Sequence, residues 1–325
     1  MPPPIFCLGA VNLDLLYRVA DLSPFLSHFP DLKPGGEVAL RPAEEEVLLE
    51  LLAQYAKLIG WEGGGQAANT AYALAHMGLP VALLGRVGAD TEGDFLKEGL
   101  KDVNLNYLVT AGRSGRAYIL LNSTGERTIL IAPHTNDDLS LDDLPWEALY
   151  KARFLHLTSF VGSNPLAVQE EAARRLAAQG QGPVITLDPG ELYARRGRRA
   201  LDFLLDQVDT LLVTEREWQM LGGHPCRYSE WAPPIVLVKR GPQGVRLIDP
   251  KHYQDFPAAP ASTLVDTLGA GDVLAAGYLA GRFLNLRLKP AIMLGLRAAA
   301  KSLTGQGREA YPDQDFLERE LASLA

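Results

Sequence analysis

The sequence predicts an α/β fold: a mostly parallel sheet with helices on both faces and a small β lid inserted into it. Three observations carry this. Short apolar runs alternate with helical patterns along most of the chain, and one segment, Arg116 to Ile131, reads as a hairpin instead. No run approaches the roughly 18 uninterrupted apolar residues that a membrane span needs.

The elements follow in chain order. Ile5 to Gly9 reads as a buried strand, with Asn12 and Asp14 beyond its end. Leu13 to Val19 and Glu37 to Leu40 are further strands to lie beside the hairpin. Ala43 to Ile59 reads as one helix: Val47, Leu48, Leu51, Leu52, Tyr55, Leu58 and Ile59 share a stripe behind the acidic turn Glu44-Glu45-Glu46. A packing helix is the simpler meaning of that stripe, and a cover over a substrate or a partner is the alternative. Thr70 to Met77 is Ala-rich and helical, stopped by Gly78, and Val81 to Leu84 is a strand. Phe154 to Leu157, Val184 to Leu187, Thr210 to Val213 and Ile235 to Val238 are strands of the buried type, with helices at Leu166 to Ala178 and Glu215 to Leu221 between them. In such sheets ligands bind beyond the carboxyl ends of the strands.

Composition narrows the function. The chain has 325 residues, 47% hydrophobic and 22% charged, which excludes disorder and collagen-like repeats. Its length fits two domains, or one large α/β domain with an appendage. The formal charge of −8, without any long basic block, gives no attraction for nucleic acid or an anionic membrane. Cys7 and Cys226 cannot build a disulfide framework, and the Pro-rich start lacks a basic n-region, so a cytoplasmic protein without a signal peptide is expected. The six histidines show no HExxH or HxH spacing, which argues against a structural metal.

Two motifs carry chemistry. Asp266-Thr267-Leu268-Gly269-Ala270-Gly271-Asp272 leads into the small-residue helix Val273 to Phe283. Small residues there leave backbone amides bare at a helix start, where phosphate binds. Asp272 stands at the same terminus, suited to take a proton from an attacking hydroxyl while the amides of Ala270, Gly271 and Asp272 stabilise charge on the transferring group. Taken without its flanks, the motif is equally a loop with a capping aspartate. Gly63-Gly64-Gly65 before Asn69 permits close approach of backbone to a ligand, and the Asn69 amide both donates and accepts, as a polyhydroxylated molecule requires. Neither a GxGxxG nor a GxxxxGK[ST] string is present.

These motifs resemble the PfkB, or ribokinase-like, family of sugar and nucleoside kinases. The resemblance rests on Asn12-Leu13-Asp14, on Gly64-Gly65 with Asn69, on Gly85 to Gly93, and on Asp266 to Asp272, in order from about residue 5 to residue 312. It implies a ribokinase-like three-layer α/β/α domain (1–14, 60–108 and 132–325) with a β lid (15–59 and 109–131) containing a helix at about 43–59. It also implies transfer of the γ-phosphoryl group of ATP, with Mg2+, to a hydroxymethyl group. On this pattern Asp272 is the base, and Gly269, Ala270 and Gly271 form the anion hole. Asn12, Asp14, Gly64, Gly65 and Asn69 hold the substrate. Lys239, Gly241, Gly244, Thr267, Gly269 and Gly271 meet the nucleotide. Glu217 acts on the metal through water, and Asp266 marks the region of a monovalent cation such as K+. Independently of the resemblance, exposed edge strands in a β lid often pair between subunits, so a homodimer through the lid is a further expectation.

Departures from the family pattern shape the expected substrate. Thr214-Glu215-Arg216-Glu217 stands where the family carries Asn-x-x-Glu, so a hydroxyl replaces an amide. Gln66 stands where ribokinases proper carry lysine, and no glutamate stands near Thr158 or Ser159; both argue against ribose itself. The helix before Gly63 resembles the nucleoside-kinase branch, notably adenosine kinases. Gly125 to Ile129 and the Asn136 region resemble sugar kinases. A sugar kinase is the leading expectation, a nucleoside kinase the second, and a catalytically impaired ligand-binding relative the third.

Overall fold

Ile5-Phe6-Cys7-Leu8 is apolar at every position, as a strand covered on both faces must be. In the computed structural model, which describes residues 4–180, 182–225, 227–251 and 253–324, this strand lies inside a nine-stranded sheet. The order is Tyr253–Phe256, Val245–Ile248, Ile235–Lys239, Thr210–Thr214, Val184–Asp188, Phe154–Thr158, Ile5–Leu8, Val81–Val87 and Leu108–Thr110. Every pairing from Ile235–Lys239 through to Leu108–Thr110 is parallel; Val245–Ile248 and Tyr253–Phe256 close one edge antiparallel. Cys226 and His252 lie outside the described residues.

Strand alternation divides the core in two. Ile5 and Cys7 pack with the helices Gln66–His76, Ala270–Phe283 and Leu288–Ser302, whereas Phe6 and Leu8 pack with Ser163–Ala177 and Gly190–Arg196. The expected three layers follow from that period of two. Gly277 and Gly295 bring the helices Ala270–Phe283 and Leu288–Ser302 together: a Cβ at Gly277 would lie 2.8 Å from the Gly295 Cα.

The second sheet has five strands, ordered Glu37–Ala39, Arg127–Ala132, Gly115–Leu121, Asn12–Val19 and Ala56–Gly64. Its inner face closes over a separate apolar cluster that includes Phe25, Phe29, Leu48, Leu52, Tyr118 and Leu130. The hairpin and the strands flanking it are those the sequence predicts. The helix expected over about 43–59 is not: it spans Pro42–Tyr55, and Ala56–Gly64 is a strand paired antiparallel with Asn12–Val19. Leu58 and Ile59 continue the helical spacing of Leu51, Leu52 and Tyr55, so periodicity could not separate them. The backbone partners offered by Asn12–Val19 decide the outcome, and Leu58, Ile59 and Trp61 (59% exposed) end up on an open edge strand. The acidic first turn also does more than meet a helix dipole. Glu45 is buried, and accepts from Tyr118 Oη at 2.6 Å and Arg113 Nη1 at 3.2 Å.

No helix among the described residues is long and apolar enough to cross a membrane.

Candidate active site

The loop before the helix Ala270–Phe283 is shaped by one left-handed residue. Gly269 has φ +72°, and a Cβ there would lie 2.3 Å from Tyr311 Oη, so the position requires glycine. Helical bonding begins only with Val273 N to the Gly269 carbonyl at 2.9 Å, and Ala270 N makes one long bond of 3.4 Å to the Thr267 carbonyl. The amides of Gly271 and Asp272 therefore precede the helical ladder and are available to an anion.

Asp272 is held from behind. Asn69 Nδ2 donates to its Oδ2 at 2.9 Å, while Arg308 Nε and Nη2 donate to Asn69 Oδ1 at 3.2 and 2.9 Å. The Arg308 guanidinium also lies 5.0 Å over the Tyr72 ring. This cation fixes which end of the Asn69 amide faces the carboxylate. Burial raises the Asp272 carboxyl to about 7, against the opposing pull of the Asn69 bond.

Asp272 faces a cavity of about 290 Å³ between the two sheets. Asn12, Asp14, Gly65, Asn69, Gly269 and Glu217 also line it, so the structure brings together most of the substrate residues the sequence singles out. Gly64 completes the set from below: a Cβ there would sit 2.1 Å from an Asp14 carboxylate oxygen. Burial, reinforced by neighbouring Glu62, raises Asp14 to about 8. Asn12 spends its Oδ1 on Asn136 Nδ2 at 2.9 Å, which leaves its amide nitrogen for a ligand. The same Asn136 exchanges bonds with Val11 N and O, both at 3.1 Å, and pins the chain where it passes from one sheet to the other.

A second cavity, about 680 Å³ and walled mainly by apolar groups such as Leu264, Leu274, Leu296 and Leu303, opens on the opposite side of the loop. Of the residues expected to meet the nucleotide, Lys239, Gly241, Gly244, Thr267 and Gly271 line it, joined by Ala270, whereas Gly269 lines the first cavity instead. Lys239 lies over the loop, its Nζ 3.5 Å from where a Cβ on Gly271 would be, and is ion-paired with buried Asp188. Burial opposes its charge, but Asp188 and Glu217 keep the ammonium protonated.

Thr214 and Glu217 form a reciprocal helix cap. Thr214 N donates to Glu217 Oε2 at 2.7 Å, and Glu217 N donates to Thr214 Oγ1 at 3.2 Å. Glu217 Oε1 has no partner among the described residues. No cluster of three His, Cys, Asp or Glu side chains suited to a metal occurs among them either. One free carboxylate oxygen fits Mg2+, which takes one or two carboxylates and otherwise water and phosphate oxygens. Asp266 does not fit a cation in the same way. Its Oδ1 accepts from Arg127 Nη2 at 2.6 Å and Leu268 N at 2.9 Å, and its Oδ2 from Gly307 N at 3.1 Å. Both oxygens are engaged, and the carboxylate ties the lid hairpin to the loop.

Glu37, Asp188, Arg308 and Tyr311 are absent from the residues the sequence marks for function. Glu37 follows Gly35-Gly36, a signal that could have drawn attention to it. Arg308 and Tyr311 carry no local signal, because their role depends on the C-terminal segment folding back under Asn69 and Gly269.

Comparison with known proteins agrees with this fold. A family model described as pfkB family carbohydrate kinase matches residues 47–314. An uncharacterized sugar kinase of Archaeoglobus fulgidus is 32% identical over 252 residues, covering 74% of this chain and 98% of that one. An ATP-dependent ribose-1-phosphate kinase of Halopiger xanaduensis is 28% identical over 317 residues, covering 96% and 95%. Among solved structures, adenosine kinase from Sinorhizobium meliloti superposes with a TM-score of 0.84 at 19% identity, over 99% of this chain and 100% of that one.

Proposed function

The chain belongs to the pfkB family of carbohydrate kinases, and we propose that within it the protein is an ATP-dependent sugar kinase with Asp272 as general base. It is a phosphotransferase whose acceptor is an alcohol. The observation that carries the finer reading is the position of the loop. Gly269 and Asp272 face the smaller, more polar cavity, and Ala270 and Gly271 face the larger, apolar one. A sugar in the first and ATP in the second would meet across the loop.

In the reaction, a hydroxymethyl oxygen attacks the γ-phosphorus of ATP. The new O–P bond forms as the bond to the β,γ-bridging oxygen breaks, and ADP leaves with that electron pair. Asp272 takes the hydroxyl proton; its elevated pKa suits a base working near neutrality. The amides of Gly271 and Asp272, with Lys239 above them, stabilise charge on the moving phosphoryl group. Mg2+ would neutralise charge on the phosphates, with Glu217 Oε1 holding one of its waters.

A nucleoside acceptor is the second reading, favoured by the helix Pro42–Tyr55 ahead of the glycines and by the likeness to an adenosine kinase fold. Coupled ADP release over a panel of hexoses, pentoses and nucleosides separates the two. Acceptor-dependent ADP release with sugars is expected. Release with nucleosides alone would transfer the assignment to the second reading, and release independent of any acceptor would overturn both.

A further inference from the structure

Five carboxylates, Asp14, Glu37, Glu191, Glu217 and Asp272, line the acceptor cavity, and no lysine, arginine or histidine among the described residues does. Three already have work inside the protein. Glu191 is ion-paired with Arg195 and Arg216, Glu217 closes its helix cap, and Asp272 accepts from Asn69. Asp14 and Glu37 are different. Asp14 is only 9% exposed, and neither carboxylate accepts a hydrogen bond from any described residue. Once ionised, a carboxylate can only accept, and the hydroxyls of a ligand can bring both residues the donors that the protein does not supply.

The surrounding cations do not change this. Lys239 is ion-paired with Asp188 and Arg195 with Glu191, while Arg308 spends its donors on Asn69 behind the wall and only partly offsets the burial of Asp14 and Asp272. Glu62 adds negative charge beside Asp14, while Glu191 and Glu217 do the same for Glu37. A bound anion would find no cation in the described cavity wall and several acidic groups, an arrangement that disfavours the wrong ligand. Hydroxyl groups would instead supply the missing donors.

We propose that the acceptor is a polyol without negative charge, its hydroxyls donating to Asp14 and Glu37, and that Glu37 is a specificity residue that turns away phosphorylated and acidic sugars. The inference rests on the sugar-kinase reading and narrows it. It separates this chain from the Halopiger xanaduensis relative, which is named for a phosphorylated acceptor. Burial raises Glu37 to about 7, with Glu191 and Glu217 adding to the effect. Hydroxyl donors would draw that carboxyl back toward ionisation, and an anion would push it further the other way.

The test uses matched acceptors: D-ribose against ribose 1-phosphate, D-fructose against fructose 6-phosphate, and D-glucose against D-gluconate. Coupled ADP release gives kcat/KM for each, and calorimetry on the same pairs gives affinity without requiring turnover. The better neutral member should exceed its anionic counterpart at least about 100-fold. Glu37→Gln should narrow that ratio at least about tenfold with the ATP KM unchanged, and Glu37→Asp, which keeps the charge, should preserve it. An anionic acceptor that binds or reacts as well as its neutral partner overturns the inference, as does a ratio that Glu37→Gln leaves unmoved. Absence of acceptor-dependent ADP release counts against the kinase reading instead, and the calorimetric ratio then still decides the selectivity.

Discussion

The two cavities meeting at Gly269–Asp272 are built by opposite rules. The acceptor side is assembled from residues far apart in sequence. Among them are Asp14 and Glu37 from the five-stranded sheet, whose strand Asn12–Val19 begins ahead of the expected lid boundary at 15, Asn69 from a helix start, and Glu191 and Glu217 from the far half of the large sheet. It is the more polar of the two, acidic and partly unpaired. The donor side comes from one stretch, Lys239 to Leu303, joined by Thr214, and its wall is largely aliphatic. A flat aromatic base can be held by apolar packing that many side chains supply, whereas a polyol is recognised by a few donors and acceptors at fixed positions. The difference shows why one cavity could be outlined by a local motif and the other required the fold.

The largest effect is expected where the two sides touch. Asp272→Asn should lower kcat by roughly 10²–10⁴-fold, the range of a positioned general base, with both substrate KM values within about twofold. Steady-state ADP release measures this, and turnover within threefold of wild type would remove Asp272 from the base role. Next comes a pair of substitutions that should separate the cavities. Asp14→Ala should raise the acceptor KM by about 10–100-fold, or roughly 1.4–2.8 kcal/mol, without touching ATP; Ala259 lines the larger cavity, and Ala259→Trp should do the reverse by about tenfold. If either variant weakened both ligands equally, the two-cavity description would fail.

A smaller effect is expected behind the base. Arg308→Met should lower kcat by about tenfold and shift the acidic limb of the kcat/KM profile upward, because a charge favouring ionised Asp272 is lost. In the wild type that limb should lie near pH 7, with rate rising as Asp272 loses its proton. Arg308→Lys should restore the limb, and a limb unchanged in Arg308→Met would leave the arginine with a packing role only.

The smallest effect is on stability without ligand. Asp14, Glu37 and Asp272 titrate in the fold at about 8, 7 and 7, above the values of about 4 in an unfolded chain. The folded chain therefore keeps protons the unfolded chain has released, and their contribution, full below about pH 4, is lost as pH rises through 7–8. The melting temperature should fall between pH 5.5 and 8.5, and Asp14→Asn should flatten that fall and raise the value at pH 8 by about 2 °C. An identical slope in the variant would show that Asp14 does not titrate in this range.

Much of this was legible in the chain. Asp266 to Asp272 and Gly63 to Gly65 announce themselves because their chemistry is local: a tight turn, bare amides and a carboxylate within a few residues. The buried strands are legible for a similar reason, since a segment covered on both faces must be apolar throughout. Ala56–Gly64 was not, because Leu58 and Ile59 satisfy helical spacing as well as any strand pattern. Arg308 was not, because nothing in Gly305 to Tyr311 says that the guanidinium turns back onto Asn69.

By itself, then, the sequence determined the three-layer sheet, the hairpin of the lid and the loop proposed to bind phosphate, all features set by periodicity or by a few consecutive residues. Tertiary structure alone decided that Ala56–Gly64 pairs with Asn12–Val19, that Arg308 orients Asn69 against Asp272, and that Asp14 and Glu37 face one cavity without a cation between them. The physical reason is the same in each case. Strand pairing, hydrogen-bond direction and local charge depend on which groups come within a few ångströms, and for residues separated by tens or hundreds of positions that proximity exists only after folding.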